Sequence, residues 1–285
     1  LITKGFKKKQ RRKLISFIVA IGMSAIMAIA GLVLNITATN VNNQDYDANL
    51  ASSDPSKYFA AVEIYPERVD AYNKLIEYYK NNGASNDQIT KVGNTIESKA
   101  DLLDITNPEI ADMYYDMGKL YFSDYDGSFK SRAVSAQGFF KTAAGAQANF
   151  DKKEIAACYD SICEFMTKQS TTSEHSLQDY TDLFNEINKA MSTVDKAEAN
   201  YDRISLYYVT MLLINDQAEY MAGVGFERQT ALDMMVELNQ KANGITSTLP
   251  YVNELKDEIK SSYDAFNANI NAKYNEVEKR QQGGN

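Results

Sequence analysis

The stretch "AAVEIYPERVDAYNKLIEYYKNNG", residues 60–83, decides how the rest of the chain is read. Val69, Tyr72, Leu75, Ile76 and Tyr79 recur at steps of three and four, the period of one face of an α-helix. Pro66 separates that stripe from a preceding apolar run, and Gly83 stands where the stripe ends, so the segment reads as helix, break, helix, stop.

The same period returns downstream. Leu177, Tyr180, Phe184, Ile187, Met191 and Val194 mark one helix face, and Val252, Leu255, Ile259, Tyr263, Phe266, Ile270, Tyr274 and Val277 mark a long final one. "ISLYYVTMLLI", residues 204–214, is apolar almost all round, which predicts a helix buried between neighbours. Asp54–Pro55 and Asn107–Pro108 have the form of an N-cap followed by proline at the first helical position. No strand-period pattern competes, and the fold class is all-α, with about eight to ten helices.

Charge is unevenly placed. The formal net charge is −8, yet residues 1–13, "LITKGFKKKQRRK", carry seven basic residues and no acid, which leaves −15 for the remainder. So acidic a body disfavours nucleic acid as a partner. Residues 14–34, "LISFIVAIGMSAIMAIAGLVL", hold no charge and as a helix would be about 31 Å long, the thickness of a bilayer core. A transmembrane helix is expected there, with a cleaved signal peptide as the alternative. The basic cluster before it and the absence of Lys or Arg over 35–56 place residues 1–13 in the cytoplasm and the rest beyond the span outside it, with the bilayer contacted through 14–34. Ala20, Ser24, Ala28 and Gly31 form a small-residue face through which two such spans could pair as a homodimer. Residues 35–53 are polar and aperiodic and read as a flexible stalk.

The periodic segments resemble tetratricopeptide repeats, in which two antiparallel helices recur about every 34 residues. Tyr58, Ala61 and Pro66 match the end of one repeat, and Tyr72, Leu75 and Tyr79 the opening of the next, with Ile76 at the position usually held by a small residue. Tyr114, Met117, Gly118 and Tyr121 reproduce the opening with its glycine, and Ala136, Phe140 and Ala143 the second helix. Tyr159, Ile162, Cys163 and Met166 form a degraded third opening. The resemblance covers residues 54–170, with a helical bundle over 171–280 continuing the domain and a disordered tail at 281–285. The whole arrangement is also similar to the extracytoplasmic C-terminal part of membrane-anchored bacterial serine/threonine kinases and related signalling proteins. The start at Leu1 rather than Met fits a piece that follows a cytoplasmic part.

Catalytic signatures are missing: there is no P-loop, nucleophile elbow, H-E-x-x-H or C-x-x-C. Neither enzyme activity nor a metal or cofactor is expected. Cys158 and Cys163 lie about 140° apart on one helix and read as buried apolar residues. His175 reads as a loop or helix-start residue, and "DYDGS", residues 124–128, as an interhelical turn.

What remains is surface. The first helix of each tetratricopeptide pair lines a concave groove, and the resemblance carries Asn73, Glu77, Lys80 and Asn81, then Asp112, Tyr115, Lys119 and Phe122, onto that face. Tyr115 and Phe122 there either stand exposed as binding anchors or pack against a later helix. The expected function is a membrane-anchored, extracytoplasmic protein- or peptide-binding module, a sensor or scaffold for a signalling part outside this chain. An envelope or secretion assembly factor, and a helical envelope enzyme or small-ligand receptor, are the alternatives.

Overall fold

Helix starts are set by local chemistry. Asp54 accepts a hydrogen bond from the Ser56 N–H (2.9 Å), and Asn107 accepts one from the Glu109 N–H (3.0 Å), each just before a proline at the first helical position. Ser85 and Gln88 form a reciprocal capping box, and Ser128 caps the helix that follows it. Gly83, with φ +71°, ends its helix in the left-handed conformation that side chains disfavour.

The computed structural model describes residues 27, 31, 35, 38–168, 175–197 and 200–283, which are all-α with no strand. The helices are α1 (residues 38–50), α2 (Pro55–Ile64), α3 (Val69–Asn82), α4 (Asn86–Ser98), α5 (Pro108–Asp124), α6 (Phe129–Gly145), α7 (Lys153–Lys168), α8 (Leu177–Ala197), α9 (Asn200–Gly223), α10 (Arg228–Gly244) and α11 (Pro250–Gly283), with a 3-10 turn at Ala100–Leu102. Among the described residues no helix is long and apolar enough to cross a membrane. Of the expected span over 14–34, Met27 and Gly31 are described and exposed; Ala20, Ser24 and Ala28 lie outside the described residues.

The chain forms two compact units, 1–74 and 75–285. In the first, the polar stretch expected to be a flexible stalk is helical over 38–50. One residue accounts for the difference. Tyr46 is buried, meets the Tyr65 ring edge-on at 5.4 Å, lies under the Arg68 guanidinium and points its hydroxyl toward Asp70 (3.4 Å). Burial and the Asp70 carboxylate push that hydroxyl up to about 12.

In the second unit, successive helices from α4 to α11 pack on one another, and α11 returns to lie along α9 as well as α10. The stripes read from the sequence face inward: Tyr114, Met117 and Tyr121 on α5, Ala136, Phe140 and Ala143 on α6, and Tyr159, Ile162, Cys163 and Met166 on α7 are all buried. Both cysteines are free, and burial pushes their thiols up. A buried hydrogen bond from the Tyr180 hydroxyl to Gln217 (2.8 Å) joins α8 to α9. His175 stacks on Phe165 at 3.6 Å just before α8, and the 124–128 turn is held by paired hydrogen bonds between Asn86 and the Asp126 backbone. Of the tail expected to be disordered over 281–285, residues 281–283 continue α11, and 284–285 lie outside the described residues.

Gly118 is the tightest approach between α5 and α6: a Cβ there would stand 2.8 Å from the Phe140 ring, which is itself fixed by a 4.7 Å stack on Tyr159. Gly138, on the exposed side of α6, would meet nothing within 4 Å. Both are helix-interior glycines, so alanine raises helix propensity equally, by about 1 kcal/mol. Gly138→Ala should therefore stabilise by up to about 1 kcal/mol, whereas Gly118→Ala should destabilise by about 1–3 kcal/mol as overpacking outweighs propensity. Urea unfolding midpoints of the two variants decide this, and equal shifts would contradict the close approach.

Candidate functional site

Helix α9 is apolar almost all round, yet near its start it carries Asp202, which is 6% exposed. An isolated buried carboxylate is strongly unfavourable, so it must find compensation in its surroundings. Lys119 of α5, 5% exposed, brings its Nζ to 2.8 Å from Asp202 Oδ1, and the Tyr115 hydroxyl donates to the same oxygen at 2.9 Å. Burial alone would raise the Asp202 carboxyl, but Lys119, Lys152 and the Tyr115 hydrogen bond outweigh it and hold the group below its ordinary range. Burial lowers the Lys119 ammonium, and the adjacent carboxylate opposes that shift. Nearby, burial raises Asp116 against the pull of Lys152 and Lys119, while Lys152 pairs with Asp112 at 2.7 Å.

Lys119 of this pair also lines a cleft of about 230 Å³ within the second unit. One wall is a stripe of α9: Tyr201, Ser205, Tyr208 and Val209. The other is a stripe of α11, Tyr251, Glu254, Leu255 and Glu258, whose spacing of three, four and seven puts all four on one helix face. Lys80, Phe122, Ser123, Arg132 and Tyr159 complete it. The Lys80 and Lys119 ammonium groups both lie over the Tyr201 ring, at 3.8 and 3.6 Å, and Lys80 also reaches Tyr251 at 4.7 Å. The Tyr208 hydroxyl donates to Glu258, and burial together with that carboxylate pushes it up.

The eight residues assigned to a groove divide accordingly. Lys80, Lys119 and Phe122 line the cleft, and Asp112 is occupied by Lys152. Glu77 and Asn81 are exposed and outside its lining, and Asn73, also exposed, belongs to the other unit. Tyr115 and Phe122 are not exposed anchors: both are buried in an aromatic cluster with Phe140 and Tyr159. Of the two arrangements open for this face of α5, packing against a later helix is the one found, with Tyr115 and Lys119 both bonded to Asp202 of α9. Reading the groove from paired repeats missed Asp202, Tyr201, Tyr251, Arg132 and Tyr159. A signal for the first was present: an acid near the head of a helix that is apolar almost all round needs a compensating partner when that helix is buried. Among the described residues, no cluster of His, Cys, Asp or Glu could hold a metal ion.

Asp202→Asn should leave Lys119 buried without a counter-charge and destabilise the second unit by about 3–5 kcal/mol. Adding Lys119→Met should recover most of that loss. Asp202 titrates lower in the fold than in the unfolded chain, so its contribution is present above the ordinary carboxyl value and is lost as pH falls through the depressed one. The wild type's margin over Asp202→Asn should thus shrink in acid, measurable by denaturant titration at stepwise lower pH.

No family model matches the chain, and no curated protein matches its sequence.

Proposed function

We propose that this protein is a membrane-anchored, extracytoplasmic helical module that binds a segment of a partner protein or peptide, as sensor or scaffold for a signalling part outside this chain. The anchor rests on the uncharged run over 14–34 and its basic flank. The tetratricopeptide-like reading rests on the repeated aromatic, Gly and Ala spacing along α3, α5 and α6.

The observation that carries the binding reading is the cleft. Its tyrosine walls supply rigid area with polar edges, the usual composition of a recognition hot spot. At about 230 Å³ it falls below the roughly 300–1,000 Å³ of pockets that enclose a whole small molecule. It suits one or two side chains of a longer chain. Lys119, which lines it, is held by Asp202 across α5 and α9, so binding would require little rearrangement of that side chain.

A displayed random-peptide library selected against the full chain should yield binders. Their affinity should fall about tenfold, or about 1.4 kcal/mol, with Tyr251→Ala or Lys80→Glu, and should be unchanged by Tyr220→Ala, an exposed tyrosine outside the cleft. Failure to enrich any sequence, or enriched peptides indifferent to both cleft variants, would overturn this reading. Labelling of single cysteines placed before residue 14 and after residue 34 in intact cells tests the topology.

A further inference from the structure

The inference concerns the same cleft and rests on the peptide-binding reading. At one end of the cleft the Tyr201 and Tyr251 rings meet edge to face, 4.8 Å apart at 85°, and form a corner. The Lys80 ammonium sits in that corner, 3.8 Å from the centre of the Tyr201 ring and 4.7 Å from that of Tyr251. These distances place the charged end of the half-buried Lys80, not its stem alone, beside two residues that line the cleft. Lys80 meets no carboxylate within ion-pair distance among the described residues, and Asp116 is a more distant neighbour. An ammonium against two rings, with no counter-ion in contact, is an aromatic cage with a wall missing.

The α11 wall shows a second gap. Tyr251, Glu254 and Glu258 share one face of that helix. Glu258 accepts a hydrogen bond from the Tyr208 hydroxyl of α9. Glu254, one turn nearer the Tyr251 corner, is exposed and has no hydrogen-bond or ion-pair partner among the described residues. The two gaps together limit what can enter. A carboxylate drawn to Lys80 comes close to Glu254, and a cation drawn to Glu254 comes close to Lys80. A phenol suits both without net charge: the face of its ring is negative and attracts the ammonium, and its hydroxyl donates to a carboxylate. The volume of about 230 Å³ leaves room for one such side chain. We infer that the cleft receives a tyrosine side chain of the partner segment. Its ring completes the cage that Tyr201 and Tyr251 begin around the Lys80 ammonium, and its hydroxyl donates to Glu254 as that of Tyr208 does to Glu258.

The test is a calorimetric titration of the full chain with three pools of N-acetylated, C-amidated heptapeptides with randomised flanks. The central residue is tyrosine, phenylalanine or cyclohexylalanine, the last keeping the size of phenylalanine without its π-system. Phenylalanine should bind about threefold or more tightly than cyclohexylalanine, and tyrosine about threefold or more tightly than phenylalanine. Lys80→Met should abolish the first preference and keep the second, while Lys80→Arg keeps both. Glu254→Ala should abolish the second and keep the first. Each preference is a ratio taken within one variant, so a loss of stability that lowers all affinities alike does not imitate either result. Equal affinity for the three pools would overturn the inference and leave peptide binding standing. So would a phenylalanine preference that survives Lys80→Met, or a tyrosine preference that survives Glu254→Ala. Saturable binding of 4-methylphenol, weakened by Lys80→Met, with no binding of any pool would support the aromatic site and overturn the peptide reading. No binding by the pools or by 4-methylphenol would overturn both.

Discussion

The contact between Lys119 and Asp202 governs the second unit. Among the described residues, tyrosines aside, the buried polar and charged side chains are Lys119 on α5 and Asp202, Ser205, Thr210 and Gln217 on α9. A buried ion pair adds little net stability against an apolar pair of the same shape, because both charges lose their hydration. Its effect is on choice among packings. An α9 rotated or shifted by one turn would leave both charges unpaired in a medium that cannot solvate them. The pair thus selects one register for an otherwise greasy helix, and with it the positions of Tyr201, Ser205 and Tyr208 along the cleft wall.

Most of the fold is legible from periodicity, because each helix has to bury a stripe and the stripe is written locally. Tyr114, Phe140 and Tyr159 lie buried on helices as their stripes predict, and the prolines at 55, 108 and 250 stand at helix starts as cap chemistry requires. Two local readings fail for opposite reasons. Residues 38–50 lack a stripe and are nonetheless helical, since a single tyrosine finds enough partners in Tyr65, Arg68 and Asp70. Residues 281–283 look like a polar tail but continue a helix already 31 residues long, where adding a residue requires no new nucleation.

The site is less legible, and the reason is distance along the chain. Periodicity tells which residues share a face, not which helix will cover it. The face bearing Tyr115, Lys119 and Phe122 is coherent in the sequence, and its cover lies more than eighty residues on. The cleft joins Lys80 to Glu258, two positions on different helices that no local pattern relates. What could be read was the anomaly of Asp202, an acid two residues before "ISLYYVTMLLI" on a helix that is apolar almost all round.

His175 has a practical consequence. It is the sole histidine of the chain, and its ring lies 3.6 Å from that of Phe165 at an angle of 15°, with Nε2 against the Phe165 carbonyl oxygen at 2.8 Å. Ring currents from so close a stack displace the imidazole carbon-bound protons from their usual resonance positions. In a proton spectrum these two signals belong to one place, the junction of α7 and α8. They offer a label-free reporter, built into the natural sequence, of whether that junction stays closed while the rest of the molecule is heated, acidified or bound.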